Sequence, residues 1–198
     1  MVKHILHIHG FNSSPLSVKA KQSREFFESN FPKVVFHCPQ LATTPSHAIG
    51  QLEQLIEQTK GDNSWFVIGS SLGGYFASYL SNKYSLPAVL INPAVKPYEL
   101  LVDYLGKQCN PYTHITYQVT PEHMQQLKAL KVNIPMLDSE QKNNYLVMVQ
   151  TGDEVLDYQQ AVDEYQHCTM IVEKGGDHSF IHFDEKLPMI ANFFKLNQ

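Results

Sequence analysis

Five residues near the middle of the chain, Gly69-Ser70-Ser71-Leu72-Gly73, fit the pattern G-x-S-x-G. In that pattern a serine sits on a sharp turn between a buried strand and a helix, its hydroxyl lifted out of the top of a sheet. Such a backbone is strained, and the chain two residues either side passes too close to leave room for a Cβ, hence the two glycines. Upstream, Trp65-Phe66-Val67-Ile68 is a short apolar run of strand composition. Downstream, Leu72, Phe76, Tyr79 and Leu80 recur at helical spacing with small residues between them. Ser71 therefore falls at the strand-to-helix junction, while Ser70 is offset by one and faces elsewhere.

A serine hydroxyl attacks a carbonyl carbon only when a base takes its proton and a third group orients that base. In sheets of this kind the acid and the histidine follow the serine in chain order, on loops after later strands. Thr151-Gly152-Asp153-Glu154-Val155 follows one apolar strand and offers Asp153. Glu173-Lys174-Gly175-Gly176-Asp177-His178-Ser179-Phe180 follows the last and offers His178. Ser71 is expected as nucleophile, His178 as base and then acid, and Asp153 as the group that fixes the imidazole tautomer. Asp153 is equally placed to cap a helix starting near Val155. Asp157, Glu154 and Asp177 compete for its role, but Asp177 adjoins His178 and Glu154 is expected on the opposite side of the turn. His182 is the alternative histidine. Backbone N–H groups must also meet the developing oxyanion. The Leu72 N–H, at a helix start, and the Phe11 N–H, after His9-Gly10, are the expected donors. An imidazole base acts only when neutral, so turnover is expected to rise with pH through roughly 6.5–7.

These side chains need a scaffold, and the chain supplies one. Short apolar runs at His4–His9, Val34–Cys38, Ala88–Asn92, Tyr145–Val149 and Thr169–Val172 join the one before Ser71. Helical patterns separate several of them: Ser17–Ser29, with Phe26 and Phe27 inward, and a segment capped by Ser46 whose buried stripe is Ile49, Leu52, Leu55 and Ile56. Strands alternating with helices imply a parallel sheet covered on both faces. Between about residues 95 and 144 the regularity lapses into Pro97, Pro111, Pro121 and Pro135 with one clear helix near Pro121–Leu130, Thr120 as its N-cap. This stretch is expected to cross the strand ends as a small cap rather than form a second domain, or else to be an ordinary long connection. Its Tyr98, Leu101, Tyr104, Tyr112 and Met124 either line an acyl pocket or pack the cap.

Composition narrows the rest. With 198 residues, 43% of them hydrophobic and 17% charged, the chain is expected to form one globular domain. Its formal charge of −4, without a Lys/Arg cluster, gives nucleic acid no electrostatic footing. No apolar run approaches the length of a membrane span, and the first residues do not read as a signal peptide. Three cysteines, far apart and odd in number, argue against a disulfide framework and for the cytoplasm. His7 and His9 share a strand face but lack the further ligands of a metal site. The Gly69–Gly74 run is neither a dinucleotide nor a P-loop fingerprint, so no cofactor is expected.

Five stretches together resemble a known family: Ile5–Ala20, Ile68–Ser81, Pro87–Leu101, Gln150–Val162 and Glu173–Phe180. They are similar to the α/β-hydrolase superfamily and, within it, to the small bacterial YqiA-like esterases, in order and over nearly the whole length. The resemblance implies a compact α/β-hydrolase of about six mostly parallel strands, without the two strands that usually open larger members. It implies a serine esterase with Ser71, Asp153 and His178 as its triad, acting on a small acyl ester or an acyl thioester. A thioesterase or peptidase with the same triad is the nearest rival, and a non-catalytic ligand-binding homologue the rival of a different class. Two positions depart from the family, which usually has Asn where Asp177 stands and Gly where His114 stands.

Overall fold

The computed structural model describes residues 2–59, 61 and 63–197. The chain begins with β1 (Val2–Ile8), α1 (Val18–Asn30), β2 (Val34–His37), α2 (Pro45–Gln58), β3 (Asn63–Ser70), α3 (Leu72–Tyr84) and β4 (Ala88–Ile91). After an insertion come β7 (Tyr145–Gln150), α7 (Tyr158–Glu164), β8 (Thr169–Glu173) and α8 (Leu187–Phe193). The insertion itself holds α4 (Pro97–Leu100), the antiparallel hairpin β5 (Gly106–Cys109) and β6 (Thr116–Val119), α5 (Pro121–Ala129) and α6 (Ser139–Lys142).

Six strands form one parallel sheet in the order β2-β1-β3-β4-β7-β8. The chain steps from β1 out to the edge at β2, returns to β3 on the other side of β1, and then proceeds outward. Between β1 and β3 the direction of winding reverses, and at such a switch point the loops after the two strands part and leave a crevice. Register carries the strand ends into line, with Ile8 opposite Gly69 and Ser70 opposite Ile91. Helices cover both faces, so the central strands are apolar on both sides; all six residues of β7 are buried. Leu6, Ile8, Val67 and Leu90 meet Ile49, Leu52, Phe76 and Leu80 from α2 and α3. On the other face Ile5, Ile68, Val89 and Met148 meet Phe27 of α1 and Leu187, Ile190 and Phe194 around α8.

The insertion adds Leu101, Val119, Met124, Leu127 and Ile134 to the first of these cores. Tyr75 of α3 donates its hydroxyl to the Leu127 carbonyl at 2.8 Å, pinning α5 down. Thr120 caps α5 reciprocally with His123, as its position before Pro121 predicts. The cap of α2 is a correction: Thr44 is the N-cap and Pro45 takes the first turn, leaving Ser46 inside the helix. Proline's fixed φ suits that first position, and the Ser46 N–H donates instead to Gln126 Oε1. The hairpin is a second departure, since its four-residue strands carry Lys107, Gln108, Thr116 and Gln118 and show no apolar period. Among the described residues no helix is long and apolar enough to cross a membrane.

His114 closes the hairpin connection with φ 57°, in the left-handed region. Its N–H donates to the Asn110 carbonyl at 2.8 Å. A β-branched residue there meets a steric penalty that glycine avoids. His114→Val is expected to destabilise by about 1–2 kcal/mol, and His114→Gly by far less, as read from urea denaturation midpoints.

Candidate active site

β3 delivers Ser71 to the C-terminal edge of the sheet, where its backbone turns at φ 56°, ψ −121°. Four backbone hydrogen bonds hold that turn, the longest from Tyr75 N–H to Ser71 O at 3.4 Å. The Ser71 N–H donates to Ile91 O at 3.0 Å, and Ser71 O accepts from Gly74 and Ala94 N–H at 2.9 and 3.1 Å. A Cβ on Gly69 would collide with the Gly73 backbone, and one on Gly73 with the Ile8 and His9 carbonyls. The glycines thus let the first turn of α3 lie against the end of β1.

His178, on the loop after β8, brings Nε2 to 3.2 Å from Ser71 Oγ. Its Nδ1 lies 2.8 and 3.0 Å from the two carboxylate oxygens of Asp153, on the loop after β7. An ionised carboxylate only accepts, so Nδ1 carries the proton and the Nε2 lone pair is left toward the serine. The Asp153 side chain is 2% exposed. Its Oδ1 also accepts from the N–H groups of Val155 and Leu156 at 2.9 and 2.8 Å, which holds a turn and not a helix start, since α7 begins only at Tyr158 with Asp157 as its N-cap. Burial pushes that carboxyl up, but the hydrogen bonds from His178, Leu156 and Val155 outweigh it and hold the group below its usual range.

The remaining candidates lie elsewhere or act differently. Asp157 caps α7 through the Gln159 N–H, and Asp177 accepts from the Ser179 hydroxyl at 2.5 Å. His182 is exposed, beside Glu185 at 3.6 Å. Glu154 does not point away from the histidine: its Oε2 accepts the His178 N–H at 3.0 Å. The loop after β8 folds back over the turn after β7, a proximity that spacing along one strand does not convey.

The Phe11 and Leu72 N–H groups make no hydrogen bond to a described residue. His9 accepts the Leu41 N–H on Nε2 at 3.2 Å, which places its proton on Nδ1, 3.0 Å from the Gly10 carbonyl. That carbonyl and the Phe11 N–H belong to one planar trans peptide, so holding the oxygen fixes where the N–H points. From the insertion, Tyr117 donates its hydroxyl to Asn12 Oδ1 at 2.7 Å, and Asn110 Nδ2 donates to Ser13 O at 2.9 Å. The Phe11 ring packs edge-on against Tyr104 and Tyr117. Of the five insertion residues singled out in the sequence, Leu101 and Tyr104 border a cavity that touches Ser71 and Tyr112 a second. Tyr98 and Met124 are buried in the core. Among the described residues no three His, Cys, Asp or Glu side chains group as metal ligands.

Residues 4–195 match the uncharacterised protein family UPF0227. The chain belongs to that family. UPF0227 proteins of Shewanella woodyi and Shewanella sediminis are each 24% identical to it, with 96% of this chain covered and 99% and 98% of theirs. Solved structures share the fold. Mouse alpha/beta hydrolase domain-containing protein 10 superposes with TM-score 0.71 at 14% identity, covering 98% of this chain and 90% of its own. Est1E from Butyrivibrio proteoclasticus, solved with ferulic acid bound, gives 0.69 at 12%, covering 99% and 89%. The architecture of this UPF0227 chain is that of the α/β-hydrolases.

Two residues that sequence reasoning passed over hold the His178 loop. Gln150, 3% exposed, accepts the Asp177 and Ile181 N–H groups on Oε1 and donates to Ile181 O and Glu173 through Nε2. Asn92 accepts the Gln150 N–H and donates to the Asp177 and His178 carbonyls. The available signal was a lone amide side chain ending each of two otherwise apolar strands. Gln150→Leu removes the acceptor of two part-buried N–H groups and the donor to Ile181 O and Glu173, and is expected to lower stability by about 1–3 kcal/mol, measured by chemical denaturation. A second expectation concerns acid. A carboxyl depressed in the folded state favours folding above its unfolded pKa, and that contribution is lost as pH falls below about 4. Urea titrations at pH 7 and about pH 3 should therefore show wild type and Asp153→Asn converging at the lower pH.

Proposed function

We propose that the protein is a serine hydrolase of acyl esters working through an acyl-enzyme. The observation that carries this reading is the unbroken chain from Ser71 Oγ through His178 Nε2 and Nδ1 to the buried Asp153 carboxylate. Ser71 Oγ attacks the acyl carbonyl as His178 Nε2 takes its proton, and Asp153 stabilises the resulting imidazolium. The Phe11 and Leu72 N–H groups, without a hydrogen-bond partner among the described residues and flanking Ser71, receive the oxyanion. Collapse breaks the ester C–O bond, and His178 returns the proton to the leaving oxygen. Water, deprotonated by the same imidazole, then attacks the acyl-serine and releases the carboxylic acid. An acyl thioester presents the same carbonyl, so matched oxygen esters and thioesters compared by kcat/KM rank the two substrate classes.

In this reading the chain is one catalytic domain and the segment between β4 and β7 is its cap, packed over the strand ends. The free thiols of Cys38, Cys109 and Cys168 fit a protein of the reducing cytoplasm.

A fluorophosphonate probe followed by peptide mapping tests the assignment. The label is expected on Ser71 alone; a label elsewhere, or none, overturns it. Ser71→Ala should lower kcat on a short-chain ester on the order of 10⁶-fold, and Asp153→Asn by about 10⁴-fold.

A further inference from the structure

Two cavities meet at Ser71, and their walls differ in chemistry. One, of about 170 Å³, is bounded by aliphatic groups of Leu72, Pro97, Leu100, Leu101 and Val155. The other, of about 580 Å³, is bounded by Ser17, Lys19, Gln22 and His182 and by the loop that follows His178. The proton on His178 goes to the leaving oxygen. His178 borders both cavities, but only the larger is walled by the loop that carries it, Ser179 to Phe183, so the leaving half of an ester is assigned to that side. The acyl half is left for the aliphatic side.

Lys19 stands out on the larger wall. It lies in the first turn of α1, and its Nζ donates at 2.7 Å to the carbonyl of Ser179. An ammonium has three donors; a neutral carbonyl takes one, and no carboxylate among the described residues lies within ion-pair distance. Burial pushes this ammonium down to about 8, against the pull of Asp177 and Asp153. Those two carboxylates are bonded to Ser179 and to His178, and Glu154, the acid on this cavity, accepts the His178 N–H. The Ser17 hydroxyl makes no capping bond to α1, whose helix N-terminus favours negative charge. His7, 1% exposed, borders the same cavity, and its Nε2 has no hydrogen-bond partner among the described residues. A half-buried cation with unused donors, on the wall of a cavity that reaches the nucleophile, is the counter-charge for an anion on the bound molecule.

We propose that the larger cavity binds the leaving half of the substrate and that this half carries an anionic group, a carboxylate or phosphate, paired with Lys19 Nζ. The proposal rests on Ser71 as nucleophile, and a binding measurement separates the two. Calorimetry on Ser71→Ala needs no turnover: 4-hydroxybenzoate should bind, 4-hydroxybenzamide should not, and adding Lys19→Met should abolish the first. Turnover then compares 4-acetoxybenzoate, 4-acetoxyphenyl phosphate and 4-acetoxybenzamide, each normalised to its hydroxide-catalysed rate. Both anions should exceed the amide in kcat/KM by about tenfold, and their order tells carboxylate from phosphate. Lys19→Met should remove the preference while leaving the amide within about twofold, and Lys19→Arg, which keeps the charge, should restore most of it. Equal rates on all three substrates, or an equal loss on all three in Lys19→Met, overturn the proposal. Binding to Ser71→Ala without any turnover by wild type overturns the nucleophile instead and leaves the anion site standing.

Discussion

The site depends on a close approach: the first turn of α3 rests directly on the last carbonyls of β1. Only a glycine at position 73 permits it, because a side chain there would drive into the Ile8 and His9 oxygens. With that contact in place, the serine at the end of β3 and the loop at the end of β1 lie beside each other at the switch point of the sheet. The price is a backbone at Ser71 far from any ordinary well, at φ 56°. Its cost is offset by bonds to Ile91, Gly74 and Ala94, on β4, α3 and the loop beyond β4. Strand order, helix placement and local strain are therefore one arrangement.

The histidine depends on polar scaffolding as well as packing. Its loop carries Gly175 and Gly176 at φ 80° and 74°, and Phe180, buried against Phe183 in the core, anchors it on the far side of the histidine. Gln150 and Asn92 add to that packing by occupying the loop's backbone groups, and both are buried at the ends of apolar strands. Buried amides that satisfy several partners specify one geometry, because a shifted loop would leave those groups unpaired in a low-dielectric interior.

What could be read in the sequence follows from which forces are local. The six sheet strands were legible because each is an apolar run with clear stops, and residues 88–91 and 145–150 differ from the expected bounds by a single position. Glycine spacing marked Ser71, since steric exclusion leaves its trace within five residues. The loops offering Asp153 and His178 were legible from strand order. Contacts decided across the fold were not. The Glu154 carboxylate under the His178 N–H, the amides at 92 and 150, and the Lys19 reach to Ser179 each join residues separated by at least 24 positions. The hairpin at 106–119 escaped because its strands are short and polar, stabilised by ladder bonds that no apolar period announces.

Tyr117 and Asn110 have a consequence for how such a chain can diverge. They bond the hairpin to Asn12 and Ser13, so the insertion cannot swing aside as a rigid flap without breaking two hydrogen bonds to the segment next to the serine. Nor can it be transplanted alone. A hairpin from a relative would arrive without its matching acceptors, and the stretch following β1 would have to travel with it as a single exchangeable unit.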